Sequence, residues 1–202
     1  MKKILKKSFC FIDFKISNDK NYNILFICDH ASFKIPKEYN NLGLSKKEIS
    51  SHIGGDIGAK ELTIELTKKL NSSCFLSNFS RLLIDPNRSL NDEDLIINNS
   101  FGTHVPGNNT VSKEEVNYRI TMYYRKYHEA LKKVIREKVK KKKLFLIAIH
   151  SFTKETPSSN RANEIGILWN KDNSLLVPLM RELNKKKISV GNNFPYPGFF
   201  FN

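Results

Sequence analysis

The sequence has little cysteine and no long hydrophobic run. Its 202 residues include three cysteines, one tryptophan and nine glycines. Cys10, Cys28 and Cys74 are odd in number and show no CxxC spacing, which argues against a disulfide framework and a cysteine-only zinc site. No stretch reaches the roughly 18 apolar residues of a membrane-spanning helix, and the apolar part of the N-terminus is too short for a signal peptide. We therefore predict a cytoplasmic protein with no membrane partner.

Positive charge is abundant, but it is concentrated in two places. The formal net charge is +14. Residues 1–7 and 132–143 hold four and eight basic residues against one acid, and so carry +11 of that total. The rest of the chain is nearly balanced, and it contains no helix-turn-helix, zinc-finger or aromatic RNA-binding signature. Charge alone therefore makes nucleic acid a poor candidate partner.

Apolar runs alternate with amphipathic segments along the chain. We predict strands at Asn23 to Cys28, Cys74 to Phe79, Leu82 to Ile84, Leu144 to Ile149, Ile165 to Trp169 and Ile188 to Val190. We predict helices after Ser45 and Ser112, each of which begins a capping box, after the Gly54-Gly55 break, and near Leu175 to Asn184. This alternation is typical of an α/β fold whose largely parallel sheet is covered on both faces.

Two histidines follow the two most apolar strands. His30 comes two residues after NILFIC, and His150 comes directly after LFLIAI. The carboxyl ends of parallel strands meet at one edge of a sheet, where ligands bind. Two imidazoles with one carboxylate and an open position make a catalytic zinc site. The candidate carboxylates are Asp29, Asp56 and Asp85; Asp56 could instead cap a helix, and Asp29 could instead orient an imidazole.

The segment SRLLIDPNR at 80–88 places two arginines around an apolar centre. An arginine fork matches a carboxylate bidentately, so Arg81 and Arg88 are candidates for binding an acidic substrate, although Arg88 could simply pair with Asp85. The remaining histidines are weaker candidates: His52 is near Asp56 but separated by glycines, His104 is in a loop, and His128 is expected to be packed. Cys28 lies within an apolar strand, where a thiol is usually inert.

Taken together, these motifs resemble the N-formylglutamate amidohydrolase (deformylase) family, in particular its less characterised branch. The matching stretches, in order, are 28–32 (CDHAS), 35–36 (IP), 42–44 (LGL), 52–59 (HIGGDIGA), 80–88 (SRLLIDPNR), 105–108 (VPGN), 150–153 (HSFT), Arg161, 166–170 (GILWN) and 193–198 (NFPYPG). Each motif alone is weak, but their collinear series over residues 24–198 is specific.

The resemblance implies a three-layer α/β sandwich with a mostly parallel sheet, related to zinc carboxypeptidases and peptidoglycan amidases. It implies one zinc ion held by His30, Asp56 and His150. It also implies that Arg81, Asn87 and Arg88 face the carboxylates of an acyl-amino-acid substrate. The expected reaction is hydrolysis of an N-formyl or N-acyl amide of an acidic amino acid.

The resemblance also suggests that something is missing. Relatives continue with a Glu-x-Arg motif that supplies the general base, whereas this chain stops at Asn202. We therefore expect a single amidohydrolase-like domain over 1–202 that is incomplete at its C-terminus, with residues 1–20 as a basic extension or edge strand. Glu164 is the candidate base within the chain. The alternative is a catalytically weak or inactive relative that binds metal or a carboxylate ligand.

Overall fold

The computed structural model describes residues 1–14, 21–140, 142–156 and 159–198. Residues 15–20 of the predicted N-terminal extension and Lys141 of the basic segment lie outside the described residues. The chain divides into two compact units, Met1–Ser151 and Phe152–Asn202. Among the described residues, no helix is long and apolar enough to cross a bilayer.

Strands and helices alternate through the first unit and continue in the second. The strands are β1 (Lys2–Leu5), β2 (Phe9–Asp13), β3 (Tyr22–Cys28), β4 (Ser73–Ser77), β5 (Asn99–Ser100), β6 (Thr103–His104), β7 (Lys143–Ala148), β8 (Glu155–Thr156), β9 (Ser159–Asn160), β10 (Ile165–Ile167) and β11 (Val190–Asn192). The helices are α1 (Lys46–Ile49), α2 (Ala59–Lys69), α3 (Lys113–Arg119), a π-helical turn (Ile120–Arg125), α4 (Lys126–Val139) and α5 (Leu176–Lys185). Short 3-10 segments lie at Lys37–Gly43, Glu93–Ile96 and Pro106–Asn108.

The central sheet has the strand order β1-β2-β4-β3-β7. β3 is parallel to both β4 and β7, while β1 and β2 add an antiparallel edge. The predicted α/β class with a mainly parallel sheet is confirmed, whereas the three-layer description and the relation to zinc carboxypeptidases stay predictions. β10 and β11 pair with each other in a separate two-stranded parallel sheet.

Both faces of the central strands are buried. On one face, Leu25 and Ile27 of β3 pack in a cluster with Tyr123 and Tyr127 of the long helical segment 113–139. On the other face, the alternate β3 residues pack in a cluster with Ala59 of α2. β7 is the last strand in the sheet order, and for this reason its apolar run is less buried than the sequence suggests: Leu146 is 49% exposed.

Both predicted N-cap serines begin helices, whereas one of the short apolar runs is not a strand. Ser45 and Glu48 make both hydrogen bonds of the predicted capping box, and Ser112 accepts the Glu115 N–H at the start of α3. The strand predicted at 82–84 is wrong: Leu82 and Leu83 lie in a turn, Ile84 follows it outside any strand, and all three side chains are fully buried. The apolar run arises there because the turn is packed into the core, which periodicity cannot distinguish from a strand.

A buried arginine fixes this turn to the long helical segment. Arg119 is 2% exposed and donates to the Leu83 carbonyl (3.1 Å), to Asn108 Oδ1 (2.7 Å) and to Glu115 Oε1 (2.8 Å). Asn108 in turn donates to the Leu82 carbonyl (2.7 Å). A buried cation is stable only when it is paired and hydrogen-bonded in this way.

We expect Arg119→Ala to lower the free energy of unfolding by about 3 kcal/mol, because it leaves buried acceptors without donors. Urea unfolding followed by circular dichroism measures the change. The matched control is Arg136→Ala on the exposed surface of α4, which should change stability by less than about 0.5 kcal/mol. Equal effects of the two substitutions would contradict the role given to Arg119.

Candidate metal centre

Two histidines follow neighbouring parallel strands at the same edge of the sheet. β3 ends at Cys28, two residues before His30, and β7 ends at Ala148, two residues before His150. Because the strands are parallel and adjacent, both chains leave the sheet at the same edge. The two imidazole rings have centroids 5.1 Å apart. The structure thus brings the two predicted histidines together.

Asp56 reaches the histidines from a tight turn before α2. Its N–H donates to the His30 carbonyl at 3.0 Å. The turn requires glycine, because a Cβ at Gly54 would lie 1.8 Å from the Ile49 carbonyl oxygen. α2 begins after Gly58 with no side-chain cap, so the alternative reading of Asp56 as its N-cap is wrong.

The Asp56 carboxylate lies between the two imidazoles. Its Oδ2 is 2.8 Å from His150 Nδ1 and accepts the Ser151 N–H at 3.1 Å, while its Oδ1 is 3.4 Å from His30 Nδ1. One ligand atom from each of His30, Asp56 and His150 lies within 4.8 Å of the others. These three side chains could hold one metal ion.

Asp85 contacts the far side of the His30 ring. His30 Nε2 lies 2.8 Å from Asp85 Oδ1, which also accepts the Asn87 N–H at 2.8 Å. Arg81 pairs with the other oxygen, Asp85 Oδ2, at 2.8 Å. Among the candidate carboxylates, Asp85 therefore orients an imidazole instead of joining the group of possible ligands, as outer carboxylates do in metal sites.

The donor set fits a metal ion such as zinc. His30 is 3% exposed, and its Nδ1 has no hydrogen-bond partner in the described part of the chain, although an unpaired buried polar atom is costly. That atom faces Asp56, on the side opposite Asp85. Two imidazole nitrogens and a carboxylate oxygen are ligands that zinc accepts.

The electrostatics of the site favour a bound cation. Burial would raise the pKa of the Asp85 carboxyl, but His30 and a neighbouring arginine lower it to about 2. Burial also opposes the ionisation of Asp56, yet the hydrogen bond from His150 and the close imidazole of His30 hold the pKa of this carboxyl well below the usual range. Burial alone would lower the pKa of His150, whereas Asp29 and Asp56 raise it to about 10. The carboxylates are therefore charged at neutral pH, and a metal ion would have to displace protons from the histidines.

The three predicted substrate-binding residues lie in one turn but have different contacts. Arg81 is engaged with Asp85, as described above. Within the part of the chain that the structure describes, Arg88 makes only long ion pairs, 3.4 Å to Asp92 and 3.7 Å to Asp94, and its side chain is 34% exposed. The Arg88 carbonyl accepts the Tyr124 hydroxyl at 2.7 Å. Of the two guanidinium groups, that of Arg88 is the freer to bind an anion.

Glu164, the predicted base, lies in the second unit immediately before β10. Its carboxylate accepts the Ser189 N–H at 3.0 Å, and its own N–H donates to Ser189 Oγ at 3.0 Å. These paired bonds join Glu164 to the residue before β11. Its catalytic role stays a prediction.

His128 and His52 have packing contacts outside the centre, whereas His104, which the sequence places in a loop, lies in β6. His128 packs against Tyr124 with ring centroids 4.3 Å apart, and its ring nitrogen contacts the Pro86 carbonyl at 3.0 Å. His52 stacks on Phe101, with centroids 4.8 Å apart. Burial raises the pKa of the Cys28 thiol to about 12, which disfavours the reactive thiolate.

The contact between Tyr127 and Asp29 has no signal in the sequence. Tyr127 donates a hydrogen bond to Asp29, whose other oxygen lies 3.6 Å from His150 Nε2. In the sequence Tyr127 belongs to the apolar stripe of a helix, and nothing distinguishes it there from a core residue. Asp29 therefore lies beside an imidazole, as expected from the hypothesis that it orients one.

Comparison with known proteins shows the family of the chain. Residues 22–202 match the family N-formylglutamate amidohydrolase. The chain belongs to this family. Family membership points to a hydrolase of the N-formylglutamate amidohydrolase type, acting on a small molecule. No curated protein matches the chain.

Two solved structures share the fold. A gene product from Agrobacterium tumefaciens is 30% identical with a TM-score of 0.86, over 95% of this chain and 75% of that one. The N-formylglutamate amidohydrolase from Ralstonia eutropha JMP134 is 19% identical with a TM-score of 0.69, over 96% of this chain and 79% of that one. The second likeness shows the fold alone.

We expect Asp85→Asn to lower the pKa of His30, because the carboxylate that opposes the effect of burial is then absent. It should also lower the free energy of unfolding by about 3 kcal/mol, since Arg81 loses its buried partner. NMR titration of the histidine rings and urea unfolding measure the two effects.

The matched control is Asp92→Asn, which removes only the partly exposed pair with Arg88. It should change stability by less than about 1 kcal/mol and leave the titration of His30 unchanged. A His30 titration that is the same in Asp85→Asn and wild type would contradict the orienting role of Asp85.

Proposed function

We propose that the protein is a zinc-dependent amidohydrolase that hydrolyses the N-formyl, or N-acyl, amide of an acidic amino acid. The observation that carries the proposal is the position of the Asp56 carboxylate between the buried imidazole of His30 and the partly exposed imidazole of His150, in a chain of the N-formylglutamate amidohydrolase family. His30, Asp56 and His150 would hold one zinc ion.

When bound, zinc supplies Lewis-acid polarisation of a carbonyl and lowers the pKa of water toward about 7. The residues of the chain prepare this site. Asp85 holds His30 by its Nε2, so that Nδ1 faces the proposed metal position. The Ser151 N–H holds Oδ2 of Asp56. Because these contacts come from buried or backbone groups, the ligands need little rearrangement before a metal ion binds.

Selectivity for an acidic substrate would come from the turn at 80–88. Arg88 has a partly exposed guanidinium, its ion pairs with described residues are long, and Asn87 precedes it. A guanidinium can bind a carboxylate through two parallel hydrogen bonds. We assign Arg88 and Asn87, with Arg81 beside them, to the carboxylates of the substrate.

Within the chain, Glu164 is the proposed general base, because an exposed carboxylate can exchange a proton with water. The Glu164 carboxylate already accepts the Ser189 N–H, and a carboxylate engaged in this way is a weaker base. This contact favours the second candidate function, a metal-binding relative with weak or no hydrolysis. Measured release of formate from N-formylglutamate at an ordinary enzymatic turnover would exclude that second function.

Purified protein supplied with zinc should bind about one ion per chain, and His150→Ala should lose it. Metal analysis after dialysis measures the content. The control is His104→Ala, an exposed histidine in the β5–β6 hairpin, which should keep the metal. Wild-type protein that retains no zinc would overturn the proposed metal site.

Wild-type protein should prefer N-formylglutamate to N-formylglutamine, and Arg88→Ala should reduce that preference roughly 10- to 100-fold, since a charge-assisted hydrogen bond contributes about 1.5–3 kcal/mol. The ratio of kcat/KM for the two substrates measures it. Arg125→Ala, an exposed arginine in the π-helical turn, serves as control. An unchanged ratio in Arg88→Ala would remove Arg88 from the binding site.

A further inference from the structure

Each imidazole of the candidate centre lies between Asp56 and a second, outer carboxylate. For His30 the outer carboxylate is Asp85, and for His150 it is Asp29, 3.6 Å from Nε2. Asp85 is held by an arginine and a backbone N–H. For Asp29, the donor on the oxygen that faces away from His150 is the hydroxyl of Tyr127.

Tyr127 is suited to hold a carboxylate in one place. Its side chain is fully buried, and its ring packs edge-on against Phe75 and Phe79, with centroids 5.1 and 6.3 Å away. These contacts fix the position of the hydroxyl. Burial and the charge of Asp29 raise the pKa of Tyr127 well above its ordinary value, so the phenol keeps its proton and remains a donor.

We propose that Tyr127 is a positioning residue of the metal centre: through Asp29 it fixes the His150 ring with Nδ1 toward the metal position. This inference rests on the proposed function, because it assumes the metal ligands named there. The physical reason is that an imidazole whose far nitrogen is paired with a fixed carboxylate is held in one orientation by their attraction, and is a stronger ligand.

The test compares zinc affinity in the full chain, measured by competition with a chromophoric chelator. Tyr127→Phe removes only the hydroxyl, and it should weaken zinc binding about tenfold or more. The visible spectrum of the Co²⁺-substituted variant should also differ from wild type, because the geometry of one ligand changes. The control is Tyr123→Phe, one helical turn earlier, which loses an equally buried hydroxyl and also packs on Phe79. It should bind zinc within twofold of wild type.

A double-variant cycle shows whether the effect passes through Asp29. In an Asp29→Ala background, Tyr127→Phe should cause no further loss of affinity, since the carboxylate that the hydroxyl holds is already absent. If circular dichroism shows that Tyr127→Phe does not fold, Asp29→Asn alone decides, with about a tenfold or greater loss expected.

The outcomes separate this inference from the proposed function. Wild-type affinity and an unchanged Co²⁺ spectrum in Tyr127→Phe would overturn the role of Tyr127 and leave the metal site in place. Additive losses in the cycle would show that Tyr127 does not act through Asp29, and would also overturn it. Wild-type protein that fails to bind zinc would overturn both the metal site and this inference.

Discussion

The parallel pairing of β3 with β7 is the constraint on which the candidate site depends. The two strands are in register from Tyr22 opposite Lys143 to Ile27 opposite Ala148, so they end together. The Ile149 N–H donates to the Ile27 carbonyl and extends the pairing to the residue before His150. A slip of one residue would turn the side chains of a strand to the opposite face of the sheet. Backbone hydrogen bonds therefore fix the relative position of the two histidines independently of the side-chain contacts in the site.

The charges of the site follow a simple arrangement around this pair. Three buried or nearly buried carboxylates surround two imidazoles, and each needs partners because a buried charge is costly. The outer two have fixed donors: Arg81 and a backbone N–H on Asp85, and Tyr127 on Asp29. The central carboxylate of Asp56 has one backbone donor and otherwise faces the imidazoles. The outer carboxylates thus orient the rings, and Asp56 is the carboxylate that could bind a cation together with the two imidazoles.

How far the sequence predicts this site depends on the kind of signal. The histidines could be placed because the ends of parallel strands converge in any α/β sheet, whatever the side chains. The carboxylates could not be ranked by residue type, and only the family resemblance favoured Asp56. The contact of Asp85 with His30 depends on a buried turn, and the apolar run in that turn predicts a strand instead. Tyr127 has the spacing of an ordinary core residue, because the same helical face contributes to both the core and the site.

Because one helical segment contributes to both the core and the site, the stability of the fold and the geometry of the centre are coupled. The 80–88 turn carries Asp85 but belongs to no strand ladder, so side chains from elsewhere hold its backbone. Arg119 donates to the Leu83 carbonyl, and the Ser80 hydroxyl donates to the Gly54 carbonyl at 2.6 Å. Gly54 lies in the turn that presents Asp56, so one buried polar network positions both carboxylates. Since rigid networks of paired polar groups define a single arrangement, the long helical segment supports the centre through the backbone of this turn as well as through the contact of Tyr127 with Asp29.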